Sequence, residues 1–61
     1  MANLTSKELT GLTDELGAEQ ILVQKYRIYA QAATDPQIKT KCEQLSAQHQ
    51  QHFDQLFAQL N

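Results

Sequence analysis

The sequence has few of the residues that cross-link small proteins or bend their backbones. One of its 61 residues is cysteine, one is proline, two are glycine and none is tryptophan. The single cysteine, Cys42, excludes an internal disulfide and a cysteine-based zinc motif, and it suits a reducing interior. Because a chain this short buries only about 60% of its surface when it folds alone, we expect it to need a partner.

Strong charge and long apolar runs are missing as well. The net charge of −2 offers no basic surface to nucleic acid, and no apolar run is long enough to span a membrane. The N-terminal residues MANLTSKEL lack the basic and then apolar order of a signal peptide. We therefore predict synthesis in the cytoplasm, with neither nucleic acid nor a membrane span among the interactions of this protein.

Two helices are predicted, one on each side of the single proline. Leucines and tyrosines recur at helical spacing before and after the segment ATDPQ at residues 33–37, and no strand-like alternation is present. The pattern predicts helices over about 6–33 and 36–60. Since the connection is short, the helices should lie antiparallel, as one all-α hairpin domain spanning 1–61.

Both helix starts carry capping signals. Thr5 is followed three residues later by Glu8, which is the spacing of a capping box. Asp35 can cap the second helix, and Pro36 occupies its first turn, where a missing N–H costs nothing.

Each predicted helix carries one stripe of residues spaced alternately three and four apart, the heptad pattern of helix packing. The first stripe has one charged member, Glu19, and the second has two ionisable members, His49 and His52. The other members are Leu9, Leu12, Leu16, Val23, Tyr26, Ala30 and Ala33 in the first helix, and Ile38, Cys42, Leu45 and Leu56 in the second.

These three polar residues should meet in space. Glu19 lies about 15 residues before the turn, and His49 and His52 lie about 15 and 18 residues after it, so all three sit roughly 22–26 Å from the turn. Each would be costly to bury without a partner. The hairpin therefore predicts one carboxylate beside two imidazoles.

Two helices cannot enclose a core. Ile21, Leu22, Ile28 and Tyr29 widen the apolar surface of the first helix, and Phe53, Phe57 and Leu60 widen that of the second. The economical solution is a two-fold homodimer, in which two hairpins form a four-helix bundle. Ten glutamines spread along the chain give a polar, weakly charged surface that tolerates packing against further proteins.

Several segments resemble known helical proteins. A glutamate at 19, a tyrosine seven residues later and H-x-x-H-F at 49–53 resemble the rubrerythrin branch of the ferritin-like superfamily. More closely, E-Q-I-L-x2-K-Y-x2-Y-A from residue 19, T-D-P-Q from 34, K-C-E-Q from 41 and Q-H-Q-Q-H from 48 resemble the small spore coat proteins of the coat protein F family. This resemblance implies a ferritin-like bundle and a place in the coat of a bacterial endospore.

The ferritin-like resemblance also implies a metal site. Glu19 matches the first glutamate ligand of that pattern and His52 matches its histidine ligand, whereas His49 stands where the pattern has a bridging glutamate. A di-iron centre uses several carboxylates, so this set suits Zn²⁺ or another ion that imidazoles bind well. Zinc and iron are the candidate cofactors, and Glu19, His49 and His52 are the candidate ligands.

The same three residues also fit an interpretation without metal. Glu19 can accept hydrogen bonds from the two histidines, and such a polar layer can fix the register of packed helices. The sequence leaves both interpretations open.

No catalytic motif is present, and we predict that the protein is not an enzyme. We predict a structural or assembly protein that resembles spore coat proteins, with itself and other coat proteins as partners. The alternative is a ferritin-like protein that binds a divalent metal. A redox enzyme fits least well, because the bridging carboxylate is missing.

Overall fold

The computed structural model describes residues 4–60, which form a helical hairpin. Helix α1 spans Ser6–Ala32, helix α2 spans Pro36–Phe57, and a short 3₁₀ helix follows at Ala58–Leu60. Residues 4–60 contain no strand, so the predicted all-α hairpin is confirmed. The predicted single domain also includes residues 1–3 and 61, which lie outside the described residues.

The start of α1 forms as its capping signal predicts. The backbone N–H of Glu8 donates to Oγ1 of Thr5 at 3.1 Å, and the backbone N–H of Thr5 donates to Oε1 of Glu8 at 2.9 Å. These reciprocal bonds satisfy two N–H groups that have no partner inside the helix.

The chain reverses direction in the three residues, 33–35, that separate the two helices. Ala33 leaves the helix with an extended backbone (φ −70°, ψ 132°), one residue earlier than the predicted helix end. Proline disfavours helical geometry in the residue before it. That residue, Asp35, has an extended backbone, and its side chain accepts a hydrogen bond from the backbone N–H of Gln37 at 2.8 Å. Lys39 of α2 then reaches back, and its Nζ donates to the carbonyl of Ala30 at 3.1 Å.

The last predicted turn of α2 is tighter than an α-helix. Residues 58–60 adopt 3₁₀ geometry rather than continuing the α-helix to residue 60. Helix ends often tighten in this way, because i to i+3 bonds satisfy carbonyls that lack a partner four residues on.

The seam between the helices follows the predicted stripe in the middle of α1 and less closely elsewhere, because the predicted members Leu9 and Ile38 are 45% and 55% exposed. Leu16, Val23 and Ala30 are buried in α1, and Cys42 is buried in α2. Ser46, which the predicted stripe passed over in favour of Leu45, is also buried. The seam of α2 therefore runs through Cys42, Ser46 and His49, and Leu45 lies at its edge.

The hairpin is thin and extended. Its Cα extents are 46 × 16 × 11 Å and its radius of gyration is 14.3 Å, whereas a compact domain of this length has a radius of gyration of about 10.5 Å. No side chain within residues 4–60 falls below 2% exposure. None of the helices in this part of the chain combines the length and apolar character needed to cross a membrane.

Candidate metal centre

The structure brings the three predicted site residues together. Glu19 lies at the midpoint of α1, and His49 and His52 lie one turn apart on α2. Nδ1 of His49 is 2.6 Å from Oε1 of Glu19, and Nδ1 of His52 is 3.1 Å from Oε2. The predicted coincidence of a carboxylate with two imidazoles across the seam is confirmed.

The three side chains differ in solvent exposure, which is lowest for the carboxylate of Glu19 and highest for the imidazole of His52. The side chain of Glu19 is 13% exposed, that of His49 is 20% exposed and that of His52 is 45% exposed. Within the described chain, only the two histidines form salt-bridge contacts with Glu19. A carboxylate that accepts two N–H bonds avoids the desolvation cost of an unpaired buried acceptor.

Aromatic contacts hold the imidazole of His49 in place. Its ring is parallel to that of Tyr26, with an interplanar angle of 1° and centroids 5.8 Å apart. The ring of His52 meets it edge-on, at 87° and 5.6 Å. These contacts and the hydrogen bond to Glu19 restrict the side-chain rotation of His49.

A hydrogen bond between the helices supports the register of the site. The hydroxyl of Ser46 donates to the carbonyl of Val23 at 3.0 Å. Val23 lies one turn after Glu19, and Ser46 lies one turn before His49. The bond therefore fixes the height at which Glu19 meets the histidines.

The donor set is suited to a divalent ion with a preference for nitrogen. One ligand atom from each of Glu19, His49 and His52 lies within 4.8 Å of the others. One carboxylate does not fit a di-iron centre, which several carboxylates neutralise and bridge. Two imidazoles and a carboxylate fit Zn²⁺.

One neighbouring acidic residue escaped the sequence analysis. Glu15 lines an open groove together with Glu19, His52 and Gln55. It precedes Glu19 by four residues, and residues at that spacing share a helix face. This spacing could have indicated from the sequence that Glu15 lies near the site. Glu15 does not belong to the group of three potential ligands.

The cluster borders an apolar surface of the hairpin. On α1, Leu22 follows Glu19 by three residues, and on α2, Leu56 follows His52 by four, so each shares a face with the cluster. Heptad spacing extends the row on α1 from Leu22 to Tyr29, and the row on α2 from His52 back to Leu45 and Ile38. The ring of Tyr29 also packs edge-on against that of Tyr26, with centroids 6.1 Å apart. We call this surface the apolar face; its members are Leu22, Tyr26, Tyr29, Ile38, Leu45 and Leu56.

The opposite side of the hairpin is polar. A groove between the two helices on that side is lined by Arg27, Ala30, Gln31, Lys39, Glu43, Ser46, Ala47 and Gln50. Five of these eight residues carry a charged or amide group. This side also holds an apolar group, because Phe57, seven residues after Gln50, is 50% exposed. Ile21 and Ile28, predicted to widen the apolar surface, are 62% and 61% exposed and lie outside the apolar face.

Comparison of the chain with protein-family models, with curated proteins and with solved structures finds no match. The resemblance to the coat protein F family stays a prediction.

Proposed function

We propose that this protein is a structural assembly protein, whose unit is a homodimeric, ferritin-like four-helix bundle. The observation that carries the proposal is the uncovered apolar face. Tyr29 is 49% exposed and Ile38 is 55% exposed, and both belong to this face. A second hairpin packed against it would convert two thin layers into one core.

The exposed area agrees with the area that a dimer needs. A compact monomer of 6.9 kDa exposes roughly 4,000 Å², whereas this chain exposes 4725 Å². The excess is about 700 Å², close to the roughly 800 Å² that each partner loses in a standard interface. Burial of one interface per copy would remove an excess of this size, which supports the proposed dimer.

Mutation of the two sides of α1 tests the dimer. We expect Tyr29→Glu to weaken dimerisation by at least about tenfold, because it places a charge inside an apolar interface. Gln20→Glu is the control, because Gln20 is exposed and lies nine residues before Tyr29, which places it about 180° away around α1. Sedimentation equilibrium in EDTA measures both. A wild-type protein that stays monomeric, or equal effects of the two variants, would refute the proposed interface.

The proposed location of this assembly is the bacterial spore coat, with other coat proteins as partners. The support is the residue pattern around Glu19 and at 48–52. Immunoblots of fractionated endospores test the location: we expect the protein in the coat fraction. Its recovery only from the spore core or the mother-cell lysate would contradict a coat role.

Divalent metal binding is a second candidate function, and the geometry of Glu19, His49 and His52 favours it. Metal content after purification, together with melting in added Zn²⁺, tests it. We expect wild type to retain or bind zinc, and His49→Ala and His52→Ala to lose it, while Gln48→Ala on the same helix behaves as wild type. Equal, metal-independent melting of all four proteins would reject this function.

A further inference from the structure

The hydrogen bonds at Glu19 determine which nitrogen each histidine presents outward. Both Nδ1 atoms face oxygens of one carboxylate, at 2.6 and 3.1 Å. An ionised carboxylate only accepts hydrogen bonds, so each Nδ1 must carry a proton to donate. A neutral imidazole protonated at Nδ1 has its lone pair on Nε2, on the other side of the ring.

Both Nε2 atoms remain without a partner in the described part of the chain. The hydrogen bonds of His49 and His52 there go through Nδ1. No buried side-chain nitrogen or oxygen in this region lacks a hydrogen bond, so Nε2 of His49 is not completely buried. Histidines that bind metals commonly donate their other N–H to a carboxylate, which fixes the ring and raises its basicity.

Direct ligation by Glu19 fits the distances less well. Two ligands about 2.0–2.1 Å from a tetrahedral ion lie roughly 3.3 Å apart, and the contact between Oε1 of Glu19 and Nδ1 of His49 is 2.6 Å. That contact has the length of a hydrogen bond to a charged acceptor. Glu19 is therefore placed as a positioning residue behind the imidazoles.

We infer that a divalent ion, with zinc as the best fit, is bound between two copies of this chain by Nε2 atoms of His49 and His52 from each copy. The inference rests on the proposed dimer and deepens the proposed metal binding by naming the ligand atoms and the second copy. Two imidazoles leave a four-coordinate ion incomplete. Two copies supply four, and two Glu19 carboxylates balance the 2+ charge.

The position of the cluster supports a shared site. Glu19 is at the middle of α1, and the cluster borders the apolar face, which the second copy covers. A two-fold axis perpendicular to the helices at the level of Glu19 brings the two clusters to one level. Metal binding and dimerisation are then coupled, and each strengthens the other by the same factor.

Dimer affinity with and without zinc tests the coupling. We expect sedimentation equilibrium to show a dimer in EDTA and, with zinc, a dissociation constant lower by about tenfold or more. Titration calorimetry should give one ion per two chains. His52→Ala should lose the zinc effect, and Gln48→Ala should keep it.

The outcomes separate the inference from the proposal on which it rests. Dimerisation in EDTA without a zinc effect, or one ion bound per chain with unchanged dimer affinity, overturns the shared site and leaves the assembly unit intact. Dimerisation in zinc alone supports the shared site and overturns the apolar face as a sufficient interface. Monomers in both conditions overturn both.

The role of Glu19 has a spectroscopic signature. Long-range ¹H–¹⁵N spectra of the histidine rings should show protonated Nδ1 in the metal-free protein and zinc-bound Nε2 after loading. Glu19→Gln should mix the tautomers and weaken zinc binding by about 10–100-fold, while Glu15→Gln leaves both unchanged. Zinc bound at Nδ1 in the wild-type spectra would overturn the assignment.

Discussion

The hydroxyl of Ser46 donates a hydrogen bond to the carbonyl oxygen of Val23, 3.0 Å away on the other helix. This buried contact joins two residues 23 positions apart and lies one turn from the cluster on each helix. It therefore links the packing of the hairpin to the geometry of its candidate site.

We expect Ser46→Ala to lower the free energy of unfolding by about 0.5–1.5 kcal/mol, the usual net value of such a bond. Ser46→Leu should cost about 1–3 kcal/mol, because it forces the helices apart. Urea denaturation at one fixed protein concentration measures both, since dimerisation makes stability depend on concentration. The exposed Gln48→Ala is the control and should stay within about 0.5 kcal/mol of wild type. A Ser46→Leu protein as stable as wild type would contradict the close approach of the helices.

The capping box at the start of α1 should contribute measurably to stability. Thr5→Ala removes the acceptor of the Glu8 N–H and should cost about 1 kcal/mol. Thr13→Ala is the matched control. The Thr13 hydroxyl bonds back to the carbonyl of Leu9 at 2.8 Å within the helix, a contact that slightly destabilises helices. Thermal unfolding should rank Thr13→Ala at or above wild type and Thr5→Ala below it, and the reverse order would contradict this prediction.

The same box gives stability a dependence on pH. Hydrogen bonds with Thr5 hold the pKa of Glu8 below its ordinary value of 4.5. The bond from the Thr5 backbone N–H has the largest effect, and the bond with the Thr5 side chain has a smaller one. Because the folded pKa is depressed, this contribution is complete above 4.5 and disappears as pH falls through the folded value. An NMR titration of the Glu8 carboxyl should give a midpoint below 4.5. In Glu8→Gln this contribution should be absent at every pH, and a midpoint at or above 4.5 would disprove the effect.

Gly17 is a site at which the helix can be made more stable. Beyond its chain neighbours and the nearby backbone of its own helix, a Cβ added to Gly17 would meet no atom within 4 Å, and Gly in a helix interior costs roughly 0.5–1 kcal/mol relative to Ala. Gly17→Ala should therefore raise the melting temperature, while the reverse change in the neighbouring residue, Ala18→Gly, should lower it by a similar amount. A loss of stability in Gly17→Ala would show that this position needs glycine in the assembled protein.

Much of the fold and site could be predicted from residue spacing. The heptad stripe of α1 and the short turn were enough to place Glu19 beside His49, because helical rise fixes the height of each residue. The detail of α2 was harder to predict. From Cys42 a step of three reaches Leu45 and a step of four reaches Ser46, and hydrophobicity alone favours Leu45. The structure buries Ser46, whose small side chain permits close packing and whose hydroxyl finds a carbonyl.

The orientation of the histidine rings could not be predicted from the sequence, because residue spacing does not determine it. Spacing shows that two imidazoles meet one carboxylate, but either ring nitrogen of each histidine would satisfy it. The choice depends on contacts such as the parallel packing of His49 against Tyr26, which arise from the fold as a whole.

The elongated outline of the hairpin makes the orientation of paired copies readable with fluorescent dyes. The chain is 46 Å long, with the turn at one end and the residues nearest both termini at the other. If the two-fold axis is perpendicular to the helices at the level of Glu19, a dye attached through Thr34→Cys in one copy lies far from the same dye in the second. Copies aligned head to head would instead bring the two dyes together, so the efficiency of energy transfer between them reports how the hairpins are arranged.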